Sequence, residues 1–264
     1  MRTTITLVAT CALLGLSASA FAQRSRDIPR LDDGTPNFNG VWQALTTANW
    51  NVETHGASAG PAAFGALLAT PPGPGIIDGG GKIPYLPAAA AQQQRNYANR
   101  WTEDPEVKCY MPGVPRANYM PYPFQIFQSE GRMLFAYQFA GAARIINLED
   151  RQEAAIDSWM GVSNAHFDGD TLVVEVSGFN GQAWLDRAGN HASYGLKVEE
   201  RYTFAGPDAI DYEATLTDPQ TYSRPWKVAF RLYRHADPHE HLMEFKCVPF
   251  TEELLYGEFY KEPK

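Results

Sequence analysis

The chain has 264 residues, with 22 Lys and Arg against 30 Asp and Glu and a formal net charge of −8. No basic stripe interrupts this acidic balance, which argues against nucleic acid and anionic membrane surfaces as partners. With 13 Tyr, 14 Phe and 6 Trp, the chain can furnish both a core and the walls of a pocket for sugars or aromatic molecules.

The chain opens with Met1-Arg2, an apolar run from Ile5 to Leu16, and small residues ending Ala20-Phe21-Ala22. A basic start, a short apolar stretch and an A-x-A site predict a cleaved export signal over residues 1–22 and a periplasmic or secreted location. The run is too short to span a bilayer as a stable helix. Roughly 240 residues then remain, enough for one well-buried domain or two small ones. Cys11 leaves with the signal, so Cys109 and Cys247 remain. An even pair in an exported chain predicts a disulfide, and neither Cys has a Cys or His at metal-ligating spacing.

Residues 23–123 read as an irregular, Pro/Gly-rich extension. Pro71-Pro72-Gly73-Pro74-Gly75 and Gly79-Gly80-Gly81 break regular structure, and Asn39-Gly40-Val41-Trp42-Gln43 is one short strand-like piece. Pro87 starts a helix that runs to about Arg100 and stops at Asp104-Pro105. A proline-rich strap, Cys109 to Pro123, lies across a surface.

From Phe124 onward short strands follow at even spacing: 124–128, 133–139, 143–148, 166–167, 172–176, 196–204, 210–216, 226–233 and 242–248. Glu130-Gly131, Asp168-Gly169-Asp170 and Gly206-Pro207-Asp208 are hairpin signals. The expectation is a mainly β domain over 124–264, an antiparallel up-and-down barrel of eight or nine strands, with a sandwich as the other solution.

Candidate chemistry concentrates between Asp157 and Arg201. In the strand over 196–204, Leu196, Val198, Tyr202 and Phe204 share one face, and Glu200 falls on it. An acid among apolar neighbours is either a functional group with a raised pKa or a buried, paired structural acid; Tyr202 beside it is a candidate for binding substrate. His166 precedes a tight turn near a barrel rim, and His191 lies in a loop next to an acid and an aromatic; either suits general-base work. Trp159 stands two positions from Asp157, and Trp184 two from Asp186. On a strand that spacing pairs a stacking surface with a polar anchor, although a core Trp with a surface Asp is the more common explanation. Arg116 and Tyr122, on the strap, are candidates to steady an oxyanion.

His235, His239 and His241 flank Pro238 at a hairpin tip, and their spacing matches no standard metal site, so no metal is expected. No G-x-S-x-G, phosphate loop, G-x-G-x-x-G or C-x-x-C occurs, so no cofactor is expected either. These features lead to an exported enzyme using acid-base chemistry of lyase, isomerase or hydrolase type on an aromatic or sugar-like compound. Glu200 or His166 would be the base, with His191 or Asp157 as partner. A barrel that binds a small molecule without transforming it is the alternative, and a filled barrel serving interaction is a third.

Three blocks carry a resemblance: Asp104-Pro105-Glu106 through Cys109 to Pro112-Gly113-Val114-Pro115-Arg116; Gly169-Asp170-Thr171-Leu172 through Gly178-Phe179-Asn180; and Glu200-Arg201-Tyr202 with Asp218-Pro219, Pro225-Trp226 and Cys247. Together they resemble a large family of exported, largely uncharacterised proteobacterial and acidobacterial proteins. The resemblance implies a lipocalin-like barrel and brings no settled activity. The chain departs from that pattern twice: Ala165-His166-Phe167 stands where the family has Gly-Arg-Trp, and Ala192 takes the place of a histidine before Ser, with His191 one residue earlier.

Overall fold

The computed structural model describes residues 28–62, 68–237 and 239–251; the export signal expected over 1–22 lies outside the described residues. Period-two alternation builds nine strands: β1 (Gly40–Ala44), β2 (Phe124–Ser129), β3 (Arg132–Tyr137), β4 (Ala143–Asn147), β5 (Val162–Asp168), β6 (Thr171–Ser177), β7 (Lys197–Gly206), β8 (Ala209–Thr217) and β9 (Trp226–Arg234). They close into one barrel in chain order. Two helices, α1 (Pro87–Ala98) and the single turn α2 (Arg100–Glu103), follow the predicted start at Pro87.

The barrel departs from the expected meander in two places. Its closing strand is β1, from the N-terminal extension, which pairs with β2 on one side and with β9 on the other through Trp42↔Arg234 and Ala44↔Leu232. With that edge of β9 taken, the stretch 242–248 forms no strand, contrary to expectation. Instead the tail is pinned to the strap by the Cys109–Cys247 disulfide and by Phe250 N–H donating to the Val107 carbonyl at 2.9 Å.

The second departure is at β4 and β5, which run parallel and share only Ile146↔Ser163 and Asn147↔Asn164. The connection between them returns to the same end of the barrel rather than turning back as a hairpin. The first half of β4 therefore faces the irregular segment 158–161 instead of a strand. That segment lies close against β6: a Cβ on Gly161, whose φ is +65°, would sit 2.7 Å from the Ser177 carbonyl oxygen.

Inside, alternation holds as read. β7 turns Val198, Glu200, Tyr202 and Phe204 inward, and β8 turns Ile210, Tyr212, Ala214 and Leu216 inward. Aromatic rings fill the core, with Phe38 on Phe204 at 4.7 Å and Tyr202 edge-on to Tyr212 at 4.9 Å between centroids. Burying each such side chain stabilises the fold by roughly 1.5–3 kcal/mol.

Candidate functional site

Glu200 is fully buried at the centre of a closed polar network. Its Oε2 accepts from Arg144 Nη2 at 2.6 Å. Its Oε1 accepts from Asn118 Nδ2 at 2.8 Å, the Tyr202 hydroxyl at 2.9 Å and the Tyr212 hydroxyl at 2.8 Å. Tyr137 donates in turn to Asn118 Oδ1 at 2.9 Å. Four donors, the Arg144 countercharge among them, engage this carboxylate inside the barrel. Of the two possibilities open in the sequence, the geometry is that of the paired structural acid. Tyr202 belongs to the same network, and burial raises its pKa and that of Tyr212 well above the usual phenol value.

Arg116 belongs to a second buried network, beneath the strap. It donates to both oxygens of Asp104 at 2.9 and 3.1 Å, to Glu106 at 2.6 Å and to Asn49 at 2.9 Å. Arg187 clasps the other side of Glu106 at 2.7 and 2.8 Å. Burial pushes the Glu106 carboxyl up, but Arg187 and Arg116 outweigh it and hold the group at about 2. Arg116, proposed above to steady an oxyanion, is instead committed to fixing the strap against the loop at 186–191.

Asp186 organises that loop from within. It is fully buried and accepts from the backbone N–H of Val52 at 2.8 Å, of Ala188 at 2.9 Å and from Asn190 Nδ2 at 2.7 Å. Burial pushes its carboxyl up to about 6 despite those bonds from Asn190 and Val52. The α1 helix packs on the same loop: Gln93 donates to the Ala188 carbonyl at 2.7 Å and Asn96 to the Gly189 carbonyl at 3.0 Å. A Cβ on Gly189 (φ +79°) would lie 2.7 Å from the Tyr97 nitrogen, so this helix-to-loop contact requires glycine.

This packing creates a cleft of about 460 Å³ whose lining includes Trp159, Trp184, Tyr110, Gln92, Arg95 and Gln182. Tyr110 stacks on Trp159 with centroids 5.0 Å apart. His191 is a bridge partner of Trp184, stacks on Tyr85 at 5.5 Å and is fixed by its own N–H to the Tyr85 hydroxyl at 3.0 Å. Burial depresses its pKa, and its Nδ1 is buried without a hydrogen-bond partner.

The predicted residues thus separate. Trp159 and Trp184 line one cleft beside α1, with His191 paired to Trp184 behind it; Glu200 and Tyr202 lie inside the barrel. His166 is exposed on the outer face of β5, opposite Val173, because its neighbours Ala165 and Phe167 take the inward positions. Asp157 is exposed and Asp186 is turned into its own loop, and neither lines the cleft with Trp159 and Trp184. Tyr122 packs against Phe139 and Phe245 at 5.7 and 4.9 Å, under the C-terminal tail. His235 binds Glu240 and Gln43, and among the described residues no group of three or more His, Cys, Asp or Glu side chains is placed to hold a metal ion.

Sequence reasoning missed Arg144, Asn118, Tyr137 and Tyr212 around Glu200, and Gln92, Arg95, Tyr110 and Gln182 in the cleft. Tyr212 was within reach, since it directly faces Tyr202 on the neighbouring strand. In comparison with known proteins, no family model matches the chain and no curated protein matches its sequence.

Proposed function

We propose that this protein is an exported binding module for a sugar-like small molecule, held in the cleft between α1, the strap and the loop after β6. The carrying observation is that Trp159 and Trp184 line one cleft of about 460 Å³ together with Tyr110 and the polar side chains of Gln92, Arg95 and Gln182. Flat aromatic surface beside amide and guanidinium donors suits a ring that is apolar on its face and rich in hydroxyls at its edge. The predicted signal and the Cys109–Cys247 pair support export, as does the resemblance to exported bacterial proteins. The full burial of Glu200 and its four hydrogen bonds favour binding over the barrel-centred acid-base reaction expected from the sequence.

The test is a titration of the mature protein with mono- and disaccharides, followed by calorimetry and Trp fluorescence. Binding by at least one sugar class is expected, with Trp184→Ala weakening it about tenfold, equivalent to about 1.4 kcal/mol. If no sugar in the panel binds, or if Trp159→Ala and Trp184→Ala bind like the parent, the proposal fails. A catalytic version has one observation in its favour: His191, whose pKa burial lowers, neighbours Trp184. A ligand recovered chemically altered, and left intact by His191→Gln, would select that version.

A further inference from the structure

The β4–β5 seam opens a second groove on the barrel wall, of about 790 Å³, which shares Trp159 with the cleft above. Its walls are largely apolar, with Met111, Leu134, Ile145, Met160 and Val162 among them, and Arg144 also lines it. Leu134 and Ile145 are exposed large apolar side chains. Contiguous exposed apolar surface of this kind marks a binding site more often than chance.

Arg144 explains what the groove would bind. Its side chain is only 2 % exposed, yet only Nη2 is engaged, by Glu200 at 2.6 Å and Tyr202 at 3.1 Å. Its Nε and Nη1 are buried with no hydrogen-bond partner. Tyr137 acts on the guanidinium through its charge and a weak side-chain hydrogen bond, but at no geometry that satisfies Nε or Nη1. A guanidinium has five N–H donors in a rigid fork, and leaving three of them desolvated and unmatched is costly. An acceptor arriving from the groove would satisfy them, and a carboxylate matches the fork best. Of the other charged side chains along the groove, Arg132 and Glu153 are both exposed and opposite in sign, so the rim contributes little net attraction.

We infer that the groove between β4 and the 158–163 segment is a binding site for an apolar monocarboxylate, whose carboxylate meets Arg144 and whose body covers Leu134, Ile145 and Met160. This groove shares Trp159 with the sugar cleft but none of its other lining residues, and the inference does not rest on the sugar reading.

The experiment titrates the mature protein with decanoate, below its micelle concentration, and with decanol and decyltrimethylammonium as matched probes. Decanoate should bind at a single class of sites, at least tenfold more tightly than either of the other two. Ile145→Glu alters an exposed wall residue, and should weaken decanoate binding at least tenfold with an unchanged thermal melt. Arg132→Gln, at the rim, should leave it within twofold, as should Trp184→Ala in the other cleft. The inference is overturned if decanoate does not bind, if decanol binds equally well, or if Ile145→Glu has no effect. Loss of binding in Arg132→Gln overturns it too, because the anion would then be held at the rim.

Discussion

Replacing Glu200 by Gln is a direct probe of the barrel's polar centre. The amide oxygen of Gln can still accept from Asn118, Tyr202 and Tyr212, which now converge on Oε1 at 2.8–2.9 Å. The other end of the amide, however, places an NH2 against Arg144 Nη2, where Oε2 now accepts at 2.6 Å. A charge-assisted bond becomes donor against donor, and a guanidinium that is 2 % exposed loses its countercharge. Breaking a buried pair by removing one partner costs about 3–5 kcal/mol. For a chain of this size that lowers the melting temperature by roughly 6–20 °C. Arg144→Met alone removes the cation and strands the carboxylate, at a similar cost. The double variant removes both charges, so it should be less destabilised than the sum of the singles by at least about 2 kcal/mol. Urea unfolding of all four proteins measures this. A Glu200→Gln midpoint corresponding to less than about 1 kcal/mol of destabilisation, or strictly additive singles, would refute a tightly coupled buried pair.

Three further outcomes are expected. Asp186 has a folded pKa raised to about 6, so its contribution to stability is greatest below the unfolded carboxylate value and is lost as pH rises through 6. Going from pH 7 to 5, the parent should therefore gain about 1 kcal/mol relative to Asp186→Asn in paired urea titrations; a pH-independent difference would contradict the assignment. Glu106 has the opposite sign: its folded pKa, lowered to about 2, contributes stability that is present above the unfolded value and lost as pH falls towards 2. Glu106→Gln should therefore flatten the acid limb of the stability profile, and an unchanged acid limb would count against the Arg116–Glu106–Arg187 network. Finally, Cys109→Ser with Cys247→Ser opens a loop with a sequence separation of 138, costing about 2–5 kcal/mol. Equal melting temperatures for the oxidised and reduced parent would contradict that.

Alternation made most of the barrel legible, because the side-chain period of a strand is set by backbone geometry and needs no knowledge of partners. It placed Glu200 and Tyr202 on one inner face, where they are. Closure was harder to read. Gly40–Ala44 is only five residues long, and its partner β9 lies almost 190 positions away, so nothing local distinguishes a closing strand from an isolated extended piece. The tail at 242–248 carries a strand-like pattern yet remains unpaired because β1 already occupies the edge it would need. Strand propensity is real at both sites; competition for one edge decides between them.

The same distinction governs the candidate site. Whether a titratable side chain can do chemistry depends on its surroundings, and those come from cross-strand neighbours. Arg144 sits in Ala143-Arg144-Ile145-Ile146, where apolar residues occupy both faces and give no sign that the cation points inward to Glu200, 56 positions on. Once that pair forms, the most suspicious acid in the sequence becomes a fully buried, four-fold hydrogen-bonded one in the fold. Trp159 and Trp184 were singled out for the aspartates two positions away, but they meet because loop and strap are drawn together by Arg116, Glu106, Arg187 and Asp186. The buried charges therefore position the cleft rather than act within it. What lines the cleft is aromatic and amide surface outside the barrel, while the half-satisfied Arg144 stays buried at the short β4–β5 seam.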